Sequence, residues 1–351
     1  MKRVLFALIL GLACAAVGAG AARAAGAPEP LWAYGYLTPP PLGAKPRSQV
    51  VRPSSRSLDK TKSAEEQTRL RHVEGSLAAY SEIDIGDGGT VADWFPGDHP
   101  PMTNVMLHGP ASLGKASWGC AYCHLPTGKG RPENAPVAGQ SAAYILRQLE
   151  DFRNDARTSA DPRKSNTPMM AGLAKAMTGE EMKAAAEYFA AIKWTPWTRV
   201  VETDRVPKTR LEGNLFRAIG LARTEPIAGR IIEVPKDEEQ SESLRNPRSG
   251  FIAYVPVGSI KKGEILATTG TLACTACHGP DLMGLADMPG IAGRSPSYLV
   301  RQLYDLQQGT RRGKWAPLMA PVVANLTNDD MVAIAAYVAS RAPRPVSMPR
   351  L

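Results

Sequence analysis

The sequence runs to 351 residues with a formal net charge of +9, only 6% aromatics, 30 prolines and 32 glycines. So many turn-formers and so few aromatics argue against one large core and for two or three small, loop-rich modules. The positive excess is not gathered into a dense Lys/Arg run with interleaved aromatics, which excludes nucleic acid as the expected partner. Beyond the N-terminal leader, no stretch reaches the roughly 18 apolar residues that a membrane span needs.

Residues 1–24 join a basic start, an apolar run and the small-residue site Ala22-Arg23-Ala24. This is the layout of a secretory signal peptide, and it predicts export to the periplasm with at most peripheral membrane association. Loss of Lys2, Arg3 and Arg23 with the leader brings the net charge to about +6. Cys14 lies inside the leader, and Gly11 stands where a lipoprotein-type site takes leucine. Residues 25–104 are rich in Pro, Ser and charge and are expected to form an extended arm with little core of its own. Its WAYGYL and ADWFPGDHPPM stretches supply aromatics that would pin it onto a following module.

Four cysteines remain, as Cys120-Ala121-Tyr122-Cys123-His124 and Cys274-Thr275-Ala276-Cys277-His278. Each is C-x-x-C-H, the signature of covalent c-type haem attachment. One helical turn lets both sulfurs reach the two vinyl groups on one porphyrin edge, and the adjacent imidazole then turns under the iron. A disulfide in each pair suits an exported chain but leaves both histidines unexplained. A four-thiolate zinc site is usually built from closer spacings, and a thioredoxin-like pair needs a βαβ context that the sequence lacks.

The chain repeats itself around the two motifs. VAGQSAAYILRQLEDF (137–152) matches IAGRSPSYLVRQLYDL (291–306) at the offset that separates Cys120 from Cys274. Gly109 and Gly263, read as an upstream turn in each copy, hold the same register. After five extra residues in the first copy, MAGLAKAMTGEEM (170–182) lies over MAPVVANLTNDDM (319–331). Within the second copy Ser295 suits an N-cap, Pro296 the first helical position and Gly309 the helix end. Thr178-x-x-Glu181 and Thr327-x-x-Asp330 read as capping boxes for the closing helices. Between the copies, residues 195–259 hold short β-branched runs broken by Pro and Gly, which predict a small strand-containing insert.

A low-spin haem needs a second axial ligand, and a thioether raises the potential relative to a second histidine. Of the methionines in TPMMAGLAKAM, Met170 lies over Met319, whereas Met169 lies over Leu318 and Met177 over Leu326. Met170 and Met319 are therefore the candidate ligands opposite His124 and His278, with Met169 and Met177 as core. No histidine follows His124 in the first copy or His278 in the second. His99 and His108 are expected to be ordinary turn histidines, with a distal-ligand role as the minor alternative.

C-x-x-C-H, a P-x-x-A-G-Q-like segment, a Y-x-x-x-Q-L helix, an arginine and M-x-x-x-A-x-x-L before an A-x-Y helix together resemble a class I cytochrome c module. The tandem resembles the di-haem cytochromes of the c-four type, over roughly residues 105–193 and 260–342. The resemblance implies a mainly α chain: two tandem class I cytochrome c domains at 105–194 and 260–343, with an N-terminal arm, a small strand-containing insert between the domains and a tail at 344–351. It implies two covalent haem c groups, with thioether bonds at Cys120, Cys123, Cys274 and Cys277 and iron ligands His124, Met170, His278 and Met319. The implied activity is electron transfer between redox proteins such as an oxidase, reductase or dehydrogenase, without catalysis of its own. A cytochrome subunit of a periplasmic dehydrogenase is an alternative; a di-haem peroxidase is a weaker one.

There are two departures from the family pattern. Ala135 stands where Pro289 offers the carbonyl that orients the proximal histidine, and Leu125 stands where Gly279 follows the motif. Arg157 and Arg311 recur in register and would pair with haem propionates or lie at solvated helix ends. Tyr144, Tyr298, Gln148 and Gln302 also recur, as packing or haem-edge contacts.

Overall fold

A computed structural model describes residues 28–45, 61–220 and 222–341. The expected leader, Cys14, part of the arm and the tail lie outside the described residues.

Among the described residues three short α-helices precede the first repeat: α1 (Leu31–Tyr34), α2 (Ala64–Thr68) and α3 (Glu82–Gly86). The first repeat contributes α4 (Asn104–His108), α5 (Cys120–His124), α6 (Ala142–Arg153), α7 (Asn166–Ala176) and α8 (Gly179–Ala191). Seven strands follow among the described residues: β1 (Thr198–Glu202), β2 (Arg205–Pro207), β3 (Thr209–Glu212), β4 (Leu215–Ala218), β5 (Thr224–Pro226), β6 (Ile232–Pro235) and β7 (Phe251–Val255). The second repeat holds α9 (Ser259–Thr268), α10 (Cys274–His278), α11 (Pro296–Gln307), α12 (Ala316–Val323) and α13 (Asn328–Ser340).

The closing helices begin where their capping residues put them. Thr178 and Thr327 each accept from the backbone N–H three residues on, and Glu181 and Asp330 answer by accepting from the cap backbone. Their alanine faces are buried: Ala185 and Ala186 in α8, Ala333, Ala335 and Ala336 in α13. Each repeat thus has its own apolar core, one built on Met182, Tyr188 and Phe189, the other on Met331, Ile334 and Tyr337.

Gly109 and Gly263 share a register but not a role. Gly109 has φ +74° and ends α4 before Pro110, so the first repeat has no continuous entry helix. Gly263 lies inside α9, correcting the expectation of a turn, and a Cβ there would sit 1.9 Å from the Ala333 carbonyl oxygen of α13. Glycine at 263 is what lets the two backbones touch. Gly263→Ala is expected to push α9 off α13 and cost about 1–3 kcal/mol by overpacking, read as a lower denaturation midpoint.

Between the repeats, β7 pairs parallel with β1 and antiparallel with β6, while β2–β5 and β3–β4 form separate antiparallel pairs. Val206, Phe216, Ile227, Ile232 and Val234 are buried together behind these strands. The buried Glu233 of β6 accepts from the Ser295 hydroxyl (2.8 Å), the Thr198 hydroxyl (3.3 Å) and the Ser297 N–H (3.3 Å), tying the sheet to the start of α11. On the other side, Lys129 donates to the Pro247 carbonyl and Arg131 pairs with Glu242 at 2.5 Å. The strand segment therefore straps both repeats.

The stretch before the first repeat is more structured than its composition predicts. Val73, Ile85, Trp94 and Phe95 bury one another around Leu244 from the strand segment, and the Trp94 indole N–H donates to the Leu244 carbonyl at 2.6 Å. The aromatics of ADWF thus close a small core of their own, because a distant residue completes it. WAYGYL docks instead on the second repeat: the Tyr34 hydroxyl donates to Asp305 (2.7 Å), and Arg301 donates to the Ala33 carbonyl (2.7 Å).

Beside that docking point, burial and then the Asp161 carboxylate raise the Glu29 carboxyl from 4.5 to about 7. A raised carboxyl contributes stability that is complete below pH 4.5 and is lost as pH climbs through about 7. Amide exchange over residues 28–36, corrected for intrinsic rates, should therefore quicken between pH 5 and 8. Glu29→Gln should flatten that dependence.

Candidate functional site

The two C-x-x-C-H motifs form matching single-turn helices, α5 and α10, and none of their four cysteines is in a disulfide. Burial pushes the Cys120 and Cys123 thiols of the polypeptide up to about 12 and about 11. Among the described residues no group of three or more His, Cys, Asp or Glu side chains could hold a metal ion, so the motifs do not converge on a zinc site.

Both histidines are buried, at 8% exposure, and both carry the same bond on one ring nitrogen. His124 Nδ1 lies 2.8 Å from the Ala135 carbonyl and His278 Nδ1 lies 2.7 Å from that of Pro289. A carbonyl accepts only, so Nδ1 holds the proton and Nε2 keeps a free lone pair for a metal. Ala135 thus does what Pro289 does, because the acceptor is backbone. Burial also holds both imidazoles below their ordinary pKa, which keeps that lone pair available.

Leu125 likewise takes the glycine's conformation, with φ +63° against +82° at Gly279. For a residue with a Cβ this costs of order 1–3 kcal/mol, offset in part because the Leu125 side chain is 97% buried, its residual exposure being 3%.

The motifs open into one continuous cavity of about 620 Å³ with mainly apolar walls. Both cysteine pairs line it, together with His124, His278, Met170 and Met319. Met177 lines it too, whereas Met169 does not. Cysteine sulfurs, imidazoles with a free nitrogen, thioethers and apolar walls are the donor set and surroundings that a covalent haem requires. His99 is absent from the lining, and its ring nitrogens already face the Pro100 carbonyl (2.8 Å) and Asp93 (3.1 Å). His108 is held to the Gly89 carbonyl at 2.7 Å.

The two repeats meet across the cavity through residues that recur in register. Arg157 donates to Gln148 of its own repeat (2.9 Å) and to Gln302 (2.8 Å) and the Tyr298 hydroxyl (3.1 Å) of the other. Arg311 mirrors it, donating to Gln302 (3.2 Å) and Gln148 (2.9 Å). Arg157 is 8% exposed, so the solvated-helix-end reading does not hold for it. Gln140 exchanges two hydrogen bonds with the Gly290 backbone (2.7 and 2.9 Å), and its counterpart Arg294 donates to the Pro136 carbonyl at 3.0 Å. Each repeat thus reads the other's histidine-supporting loop. Sequence reasoning found these residues through the repeat but did not place them at the junction.

The motifs differ in what surrounds them. Tyr122, between the first pair of cysteines, stacks edge-on with Trp118 and lies beneath the Arg245 guanidinium, which also donates to the Tyr122 carbonyl. The Tyr122 hydroxyl donates to the Gly86 carbonyl at 3.3 Å. Ala276 holds the equivalent place in the second motif and is exposed.

A model of the cytochrome c family matches residues 111–193 and 260–342. The chain is 27% identical over 235 residues to cytochrome c4 of Pseudomonas aeruginosa, covering 66% of this chain and 88% of that protein. It is 28% identical over 228 residues to a thiosulfate dehydrogenase electron acceptor of Stutzerimonas stutzeri, covering 64% of this chain and 80% of that one. One stretch of 69 residues is 41% identical to cytochrome c-554(548) of Halomonas halodenitrificans, covering 19% of this chain and 83% of the relative.

Proposed function

The chain belongs to the cytochrome c family, as a di-haem electron-transfer protein of the c4 type with two covalently bound haem c groups, and from that premise we propose a periplasmic carrier of single electrons between redox proteins. Cys120 and Cys123 hold the first haem and Cys274 and Cys277 the second, through thioether bonds. His124 with Met170 would hold the iron of the first haem, and His278 with Met319 that of the second. When bound, each haem iron cycles between ferrous and ferric, taking up one electron and passing it on.

The polypeptide's part is to hold and to insulate. The Ala135 and Pro289 carbonyls fix the histidine tautomers, the apolar walls exclude water, and the Arg157–Gln302 and Arg311–Gln148 bonds hold the two sites at a fixed separation. The observation that carries this reading is a methionine in the cavity for each motif. With a histidine and a methionine to hold each iron, neither would keep an open place for peroxide, which favours a carrier over a peroxidase. The predicted leader, residues 1–24, supports export.

The likeness to a thiosulfate dehydrogenase electron acceptor names a class of donor: a dehydrogenase acting on an inorganic sulfur compound. The test is to mix oxidised protein with a thiosulfate dehydrogenase and thiosulfate and follow the haem absorption. Full reduction of two haems per chain, without peroxide turnover by the reduced protein, supports the carrier. Sustained oxidation of a reduced donor by peroxide would replace it with the peroxidase reading.

A further inference from the structure

Lys164 lies in the extra segment that breaks the repeat, between Arg157 and the helix that carries Met170. It is 3% exposed and lines the cavity, yet its Nζ has no hydrogen-bond partner. Ser159, on the same segment, also lines the cavity with an unpartnered buried hydroxyl.

The charged groups acting on Lys164 are Arg301, Glu133, Asp305 and Asp161; none of them makes a hydrogen bond to its Nζ, and all are engaged elsewhere except one buried oxygen, Oε2, of Glu133. Glu133 pairs with Arg131 (3.1 Å) and Asp161 with Arg163 (2.6 Å). Asp305 accepts from the Tyr34 hydroxyl and the Ala160 N–H, and Arg301 donates to the Ala33 and Pro132 carbonyls. A buried ammonium without a partner is costly, and burial, reinforced by Arg301, drives this one down to about 7. No carboxylate of the chain reaches this ammonium, and the side chain that carries it lines the cavity.

The second repeat offers no such group. Its segment is shorter, and in the register set by Met170 and Met319 the position of Lys164 is taken by Gly313, where a Cβ would lie 2.1 Å from the Asp151 carboxylate. The Lys164 segment belongs to the first site: two residues on, the Asn166 amide donates to Asn134 at 2.7 Å, beside the Ala135 carbonyl that orients His124.

We propose that the Lys164 ammonium and the Ser159 hydroxyl hold a carboxylate of the haem attached at Cys120 and Cys123, and that this contact raises the reduction potential of that haem alone. The cation neutralises a negative group next to an iron that gains a positive charge on oxidation, so it favours the ferrous state. This inference rests on the assignment of the first motif and Met170 to one haem.

The test is a redox titration of the full-length holoprotein, its two haems told apart by Met170→His and Met319→His, each of which lowers its own potential. Lys164→Met should shift the first haem's equilibrium about tenfold toward ferric, 59 mV for one electron, and leave the second in place. Lys164→Arg should restore it. If Lys164→Met fails to accumulate, Ser159→Ala should give a smaller fall in the same haem. An unmoved first potential, or a fall in the second haem, overturns the proposal. Fewer than two covalent haems in the unaltered protein, or a Met170→His that moves neither potential, would instead overturn the assignment on which it rests.

Discussion

Met170→Ala is expected to remove about half of the methionine-to-ferric-iron absorption band while leaving two covalent haems per chain, since thioether bonds and axial ligation are separate attachments. Met319→Ala should remove the other half. The affected haem should fall in potential by tenfold or more in its electron equilibrium, about 59 mV per tenfold, because a thioether stabilises ferrous iron relative to harder ligands. Met169→Ala should leave band and potential intact, for Met169 does not line the cavity. Met177→Ala separates the two ways in which a methionine can line it. Met177 is 6% exposed within the first core, so its loss should cost about 2–5 kcal/mol of stability with the band retained. Loss of the band in Met169→Ala or Met177→Ala, with retention in Met170→Ala, would sink the assignment.

Arg157→Ala is expected to destabilise the holoprotein by on the order of 3 kcal/mol, measured by chemical denaturation. The guanidinium makes three hydrogen bonds to neutral groups, two of them across the junction, and bonds to a charged donor are individually the stronger kind. Removing it also takes a donor from the half-buried Tyr298 hydroxyl and leaves Gln302 with Arg311 alone. Arg157→Lys should recover little, because one ammonium cannot span three acceptors in the plane of a guanidinium fork. Arg311→Ala should cost less, since Arg311 makes two such bonds from a less buried position. Equal and small effects at both positions would mean that the junction is held by Gln140, Arg294 and the Trp194 indole instead.

The local features were open to reading because each is written within a few residues. The capping boxes at Thr178 and Thr327 formed as spaced. Ser295 capped its helix by accepting from the Tyr298 N–H. The duplication put Met170 over Met319, as it put Met182 over Met331; the first pair lines the cavity, and the second is buried in the two cores. Positions with no local signature were missed. Gly263 looks like a turn residue until α13 is laid against it, and Leu244 looks like any leucine until Trp94 donates to its carbonyl.

By itself the sequence determined the attachment chemistry, the duplication, the helix ends and one candidate sulfur for each motif, since these depend on spacings of one to five residues or on identity between copies. Only the tertiary structure decided what Arg157, Gln148 and their counterparts do. They meet partners about 150 positions away, across a junction that no periodicity in the chain announces. The same holds for the stretch before the first repeat, whose core is completed by Leu244, and for Lys164. Its character comes from burial without a partner, a property of the fold around it and not of its neighbours in sequence.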